Sequence, residues 1–359
     1  MSPPRDSTAM VTKEMPLLRV VDLKTHFTTE EGTARAVDGV TFHIDHGETL
    51  GLVGESGCGK SVTCLSILRL VPPPGEIVGG DIRLEGMSLL DASEREIRRV
   101  RGGRISMIFQ EPMTALNPVF SVGNQIMETI RAHERVSSRE AKRRAIELLR
   151  QVEIPSPERR LREYPHEMSG GMRQRVMIAM ALACGPALLL ADEPTTALDV
   201  VVQAQIIRLL QELQKETGLS ILLVTHDLAL VAQVAHRIAV MYASKIVEEA
   251  PSRELFRRAL HPYTQGLLRS RPSIGQGGGA QLPVIPGQVP NPLAFPGGCK
   301  FHPRCPLAIA RCALEEPVLR ELRPEHRVAC HLAEEGGLGS SPARAEETGD
   351  GPAEESRTA

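Results

Sequence analysis

Apolar and polar residues alternate over 17–27 and 36–44, the pattern of strands with one buried face. Residues 48–53 (Glu-Thr-Leu-Gly-Leu-Val) form a continuous short strand that runs into a glycine-rich turn. The pattern then predicts a helix over 60–70, stopped by Pro72-Pro73-Pro74. A strand over 104–109 follows. A helix opens at Ser137, where Glu140 completes a capping box and Ala145, Leu148, Leu149 and Val152 make an apolar stripe. A helix over 171–184, closed by Gly185-Pro186, leads into a fully apolar strand over 187–191. Then come a helix over 200–217 ended by Gly218, a strand over 219–225, a helix over 228–235, and strands over 237–242 and 245–249. Strands alternating with helices predict an α/β fold with a mostly parallel sheet.

The texture changes after about residue 268. Residues 271–298 are too rich in Gly and Pro for regular structure, and 333–359 are Gly/Ala/Glu-rich without periodicity and are expected to be disordered. Residues 1–15 are a polar, flexible lead-in, without the apolar stretch of a secretory signal. The longest uncharged run, 176–191, is shorter than a membrane span and is broken by Gly185-Pro186. A cytoplasmic chain is expected. No internal repeat is visible.

Composition narrows the function. The 359 residues leave room for about two modest domains. Lys and Arg number 42 against 44 Asp and Glu, a net charge of -2 that lacks the basic excess of a nucleic-acid binder. There is no Trp and only 3% aromatic residues, so a base-stacking platform is also excluded.

Gly54-Glu55-Ser56-Gly57-Cys58-Gly59-Lys60-Ser61 fits the G-x4-G-K-[ST] phosphate loop and sits between a strand and a helix, the context such a loop requires. Its glycines let backbone N–H groups close around phosphate oxygens, with the positive end of a helix behind them. Lys60 is placed for β/γ-phosphates and the Ser61 hydroxyl for Mg2+. The apolar strand ending at Asp192-Glu193 would put one carboxylate near the metal, usually through its waters, and a second where it can act as general base. Lys60 and Asp192 lie 132 positions apart, which predicts an inserted, mainly helical unit between them. At its end, Met168-Ser169-Gly170-Gly171-Met172 opens a helix and offers a second anion-binding nest. One nucleotide needs one loop, so a second nest points to a phosphate shared across a subunit interface.

These residues resemble the ATP-binding cassette (ABC) ATPases. Besides the phosphate loop, the chain carries a signature segment at 168–172, the Asp192-Glu193 strand, Gln110 after a strand, Ala197-Leu198-Asp199, and His226 after a strand. Six ordered motifs span residues 17 to about 250. The resemblance implies a P-loop core with a mostly parallel sheet, an antiparallel β subdomain, and a helical subdomain over about 112–184, all within residues 16–259. It implies ATP and Mg2+ held by Gly54 through Val62, with Ser61, Gln110 and Asp192 around the metal. Glu193 would be the catalytic base. His226 would contact the γ-phosphate, Gln110 would also sense the membrane partner, and Asp199 would lie in the dimer contact loop. Ser169, Gly170 and Gly171 would meet the γ-phosphate of a partner's nucleotide, and Phe27 would stack on adenine. The fifth signature position departs from the family: Met172 stands where Gln is usual and offers no amide hydrogen bond. A generic P-loop NTPase or kinase lacks the second nest and the counterpart of His226.

Within that family the chain looks like the ATPase subunits of dipeptide/oligopeptide importers. The segment Phe109 to Pro118, the His261-Pro262-Tyr263-Thr264 stretch, Ile285-Pro286-Gly287 and the Pro296 to Cys305 run carry this narrower resemblance. It implies an extension over 260–332, a second ATPase subunit that is usually a paralogue, two transmembrane permease subunits and an extracytoplasmic solute-binding protein. The chain would lie on the cytoplasmic face of the membrane. Nickel, glutathione or another small solute is an alternative cargo, and a soluble, non-transport ABC ATPase is the more distant alternative.

Seven cysteines are present, and four of them follow a C-x5-C-x6-C-x17-C spacing: Cys299, Cys305, Cys312 and Cys330. In a reducing compartment such a group suggests metal before disulfides. Four thiolates suit a [4Fe–4S] cluster, which the resemblance favours, or Zn2+, whose structural sites prefer closer pairs. Free thiols are the third alternative.

Overall fold

The computed structural model describes residues 15–110, 115–196, 198–270 and 284–334. The segments following Gln110 and preceding Leu198 therefore lie outside the described residues. So do most of the expected lead-in, part of the Gly/Pro-rich stretch, and nearly all of the expected tail.

Among the described residues, twelve strands form two sheets. In chain order they are β1 (Leu18–Thr29), β2 (Gly32–Ile44), β3 (Thr49–Val53), β4 (Gly75–Leu84), β5 (Met87–Ser88) and β6 (Ile105–Ile108). They continue with β7 (Leu188–Asp192), β8 (Ser220–Thr225), β9 (Arg237–Tyr242), β10 (Lys245–Pro251), β11 (Arg320–Arg323) and β12 (His326–Val328). The smaller sheet runs β2-β1-β4-β5 and is antiparallel throughout. The larger runs β11-β12-β10-β9-β3-β8-β7-β6. Its middle and far end, β9-β3-β8-β7-β6, are parallel, and β10, β12 and β11 extend it antiparallel.

The period-2 geometry of the parallel strands divides the interior into two cores. Leu189, Ala191, Ile221 and Leu223 join one, with the helices Gly170–Leu182 and Val200–Thr217. Leu188, Leu190, Leu222 and Val224 join the other, beneath the antiparallel sheet and the helix Lys60–Ile67. All eight are essentially inaccessible to solvent. Burial on both faces explains why these strands are continuous apolar runs.

Between β6 and β7 the chain builds the helices Val122–His133, Ser138–Gln151, Pro157–Arg160 and Gly170–Leu182. Two local expectations need correction. The helix from Lys60 ends at Ile67, short of the prolines, because Arg69 takes a positive φ of 53°. The Ser137 hydroxyl does accept from the Glu140 N–H, but the Glu140 carboxylate pairs with Arg143, so only half of a capping box forms.

The sequence pattern did not predict β11 and β12, and their pairing changes the architecture. β12 hydrogen-bonds to β10, with Val328 opposite Glu248. The C-terminal segment thus completes the main sheet.

Candidate functional site

The phosphate loop lies between β3 and the helix Lys60–Ile67, and its glycines are needed where they stand. A Cβ at Gly54 would come 2.1 Å from the Met241 carbonyl oxygen, and one at Gly59 would come 2.2 Å from that of Ala36. Gly59 also holds φ at +105° and Gly57 at +78°, with open space beside Gly57. The result is a backbone cradle with room for an anion. Lys60 folds back on it, its ammonium donating to the carbonyls of Gly54 at 2.9 Å and Glu55 at 3.1 Å.

Next to the cradle, the Ser61 hydroxyl donates to Asp192 Oδ1 at 3.1 Å. A hydroxyl and a carboxylate side by side are donors of the kind Mg2+ takes in phosphate sites. Burial pushes the Asp192 carboxyl up, opposed mainly by the Ser61 hydrogen bond. A cation bound beside it would act the other way and favour the ionised form.

Glu193, the next residue, is the hub. Its Oε2 accepts from Gln110 Nε2 at 3.0 Å and from the Thr196 hydroxyl at 2.9 Å, and its Oε1 lies 3.1 Å from His226 Nδ1. Burial raises its pKa, but the hydrogen bonds from His226 and Thr196 outweigh that and hold it below the ordinary value. The backbone is unusual too, since Glu193 has φ +47°, a left-handed conformation that costs a non-glycine residue about 1–3 kcal/mol. Three of the predicted residues, Gln110, Glu193 and His226, are thus brought into direct contact. Thr196 was not predicted; the Thr195-Thr196 pair after Glu193-Pro194 was its only trace in the sequence.

The other predicted residues are more dispersed. Val62 follows Ser61 on the helix and packs partly buried against the core beneath the antiparallel sheet. Phe27 sits on β1 opposite Ala34 and Gly75, and its half-buried ring covers Gly75. Ser169 caps the helix Gly170–Leu182, accepting from the Met172 N–H at 3.3 Å. Gly171 faces Val202, and Asp199 caps the helix that carries Val202. Among the described residues, no hydrogen bond or ion pair joins Ser169–Met172 to the phosphate loop.

Cys299 and Cys305 are half-buried, Cys312 and Cys330 buried. Burial pushes the Cys299 thiol up to about 11, and the nearby Cys312, Cys330 and Cys305 add to it. Cys305 and Cys330 are raised in the same way. The thiols are near enough to feel one another. However, among the described residues no group of three or more His, Cys, Asp or Glu side chains is arranged to hold a metal ion.

Residues 37–196 match the family model "ABC transporter", and residues 247–312 match "Oligopeptide/dipeptide transporter, C-terminal region". The chain is 55% identical over 320 residues to a Sinorhizobium fredii protein named "Probable peptide ABC transporter ATP-binding protein y4tR", covering 89% of this chain and 96% of that one. It belongs to the ABC transporter ATP-binding subunits. The dipeptide transport ATP-binding protein DppD of Escherichia coli is 50% identical over 317 residues, which are 88% of this chain and 97% of the relative. The oligopeptide transport ATP-binding protein AppD of Bacillus subtilis is 50% identical over 326 residues, 90% of this chain and 99% of the relative. Among solved structures, the ATP-binding cassette MJ0796, in a dimer bound to ADP and Pi, superposes with a TM-score of 0.60 at 28% identity, covering 66% of this chain and 99% of its own. The fold is the cassette fold, and the chain is an ATPase subunit. No helix among the described residues is long and apolar enough to cross a membrane.

Proposed function

We propose that the chain hydrolyses ATP to energise an importer for dipeptides and oligopeptides. The observation that carries the ATPase reading is Glu193, ionised and held by Gln110, Thr196 and His226 beside the Ser61–Asp192 pair. The peptide cargo is supported by the match of residues 247–312 and by the names of the relatives.

ATP brings the cleavable phosphoanhydride; Ser61, Asp192 and Gln110 would hold Mg2+, which would supply charge neutralisation at the phosphates. The backbone of residues 54–62 binds the phosphates, and Lys60 turns from its own loop carbonyls toward them. Glu193 accepts the proton of the attacking water through Oε1, which keeps a lone pair beside its contact with His226. His226, with 65% of its side chain exposed, is free to turn to the γ-phosphate. Ser169, Gly170 and Gly171 present the helix Gly170–Leu182 to the nucleotide of a second ATPase subunit, and Asp199 lies at that contact. Phe27 stacks on the adenine.

Two such subunits closing on ATP and reopening after hydrolysis would drive two membrane permease subunits, supplied by a solute-binding protein outside. The chain would work peripherally, at the cytoplasmic face. Cys299, Cys305, Cys312 and Cys330, as thiolates, would be the ligands of a [4Fe–4S] cluster, with Zn2+ the other occupant their chemistry suits. The donor set and the mutual proximity of the thiols support this.

The test is ATP-driven uptake. The chain is purified with its membrane partners, reconstituted in liposomes, and offered labelled peptides and nickel. Glu193→Gln should retain ATP binding while hydrolysis and peptide uptake fall by about two orders of magnitude or more. Uptake of nickel alone would overturn the cargo, and stimulation by nucleic acid without any membrane partner would overturn the transport reading.

A further inference from the structure

The C-terminal segment reaches into the nucleotide site. Arg304 belongs to the turn His302–Arg304, and its guanidinium grips the Glu55 carboxylate in a bidentate pair of 2.7 and 3.0 Å. Only 4% of the Arg304 side chain is exposed. Its remaining hydrogen bonds go to the carbonyls of Pro286 and Ile285 and to the Tyr242 hydroxyl. The Glu55 carboxylate next to it keeps the Arg304 guanidinium firmly charged. A second contact comes from the helix Pro262–Arg269, where the Tyr263 hydroxyl accepts from the Glu55 N–H at 2.9 Å. Tyr263, Tyr242 and Phe301 are packed ring against ring, with centroids 4.6 to 5.4 Å apart. Both groups that hold Glu55 therefore rest on one rigid aromatic cluster.

Glu55 is the second residue of a loop built to bind a polyanion. A free carboxylate there would repel a triphosphate, and its N–H, given to the Tyr263 hydroxyl, ties the start of the loop to the helix Pro262–Arg269. We propose that Arg304 and Tyr263 are positioning residues for the phosphate loop: Arg304 neutralises and holds the Glu55 side chain, Tyr263 holds its N–H, and ATP affinity depends on both. The proposal rests on the reading that residues 54–61 bind ATP.

The test titrates Mg-ATP into the intact chain and its variants, with melting curves to check folding. Arg304→Gln, neutral and shorter but still polar, should bind ATP about tenfold more weakly, a penalty that shrinks as salt is raised. Adding Glu55→Gln to it should recover most of the loss, because the unpaired carboxylate is gone. A role in stability alone would not produce that recovery. Tyr263→Phe removes one hydroxyl from a buried ring and should raise KM for ATP more than it lowers kcat; it carries the test if Arg304→Gln fails to fold. Folded variants that bind ATP within twofold of wild type overturn the proposal, as does a double variant no better than Arg304→Gln. Lys60→Ala is the control: if it too leaves ATP binding intact, the ATP site has been assigned wrongly and the clamp is not at fault.

Discussion

A single imidazole shows how burial becomes chemistry at the residue scale. His261 is 1% exposed, caps the helix Pro262–Arg269 through Nδ1, and is pushed down to about 4, chiefly by burial and against the pull of Glu248. Unfolded, it titrates near 6.5. Between those values the unfolded chain carries a proton the folded chain refuses, so this contribution is whole above about pH 6.5 and lost as pH falls toward 4. About 2 kcal/mol should be gone by pH 5. His261→Asn keeps a capping acceptor without the titration. Comparing urea midpoints at about pH 7 and pH 5 should show the wild type losing about 2 kcal/mol more than the variant. Residue-scale chemistry was legible in part: Lys60 and Ser61 stand at the fixed offsets of a phosphate loop and Glu193 at the end of an apolar strand, whereas Gln110 and His226 were named only through the family resemblance. Arg304 and Tyr263 could not, because their partner, Glu55, is met only through tertiary packing.

Elements were legible where burial imposed a clean period. The parallel strands stood out as apolar runs because both faces are covered. β4 did not, although its residues alternate between half-buried and exposed, because Gly79-Gly80 interrupts the apolar pattern. β11 reads Arg-Glu-Leu-Arg, which carries no strand signal, and forms because β12 offers it an edge. The close fit between elements gives a prediction at β3. A Cβ at Gly51 would stand 2.4 Å from Val231 Cγ1 and 3.4 Å from the Ala235 Cβ, where the helix Leu228–Val234 and the residue after it lie on the strand. Gly51→Ala should force that helix outward and cost about 1–3 kcal/mol, seen as a lowered melting temperature.

For the whole molecule, the family resemblance implied a cassette and a C-terminal extension but could not show that the two segments share one sheet. The pairing of β12 with β10 and the buried pair of His326 with Glu248, 2.8 Å apart, join them. The cysteines belong to this joint, since Cys299 and Cys305 flank the turn that carries Arg304. If the proposed cluster is held there, chain purified without oxygen carries four irons with matching sulfide and a brown absorbance, both lost in Cys312→Ser, and colourless chain without iron overturns the cluster. Stoichiometric, colourless zinc would replace the cluster with a zinc site.

The clamp on Glu55 also bears on how the protein is made. Arg304 leaves the ribosome 249 residues after Glu55. At about 5–20 residues per second, that is a delay of roughly 10–50 s. During that interval the nascent cassette carries a phosphate loop whose acidic side chain has no counter-ion. If the clamp governs affinity, a chain that has not yet reached Arg304 takes up nucleotide poorly, and the arrival of Arg304 is what completes the site.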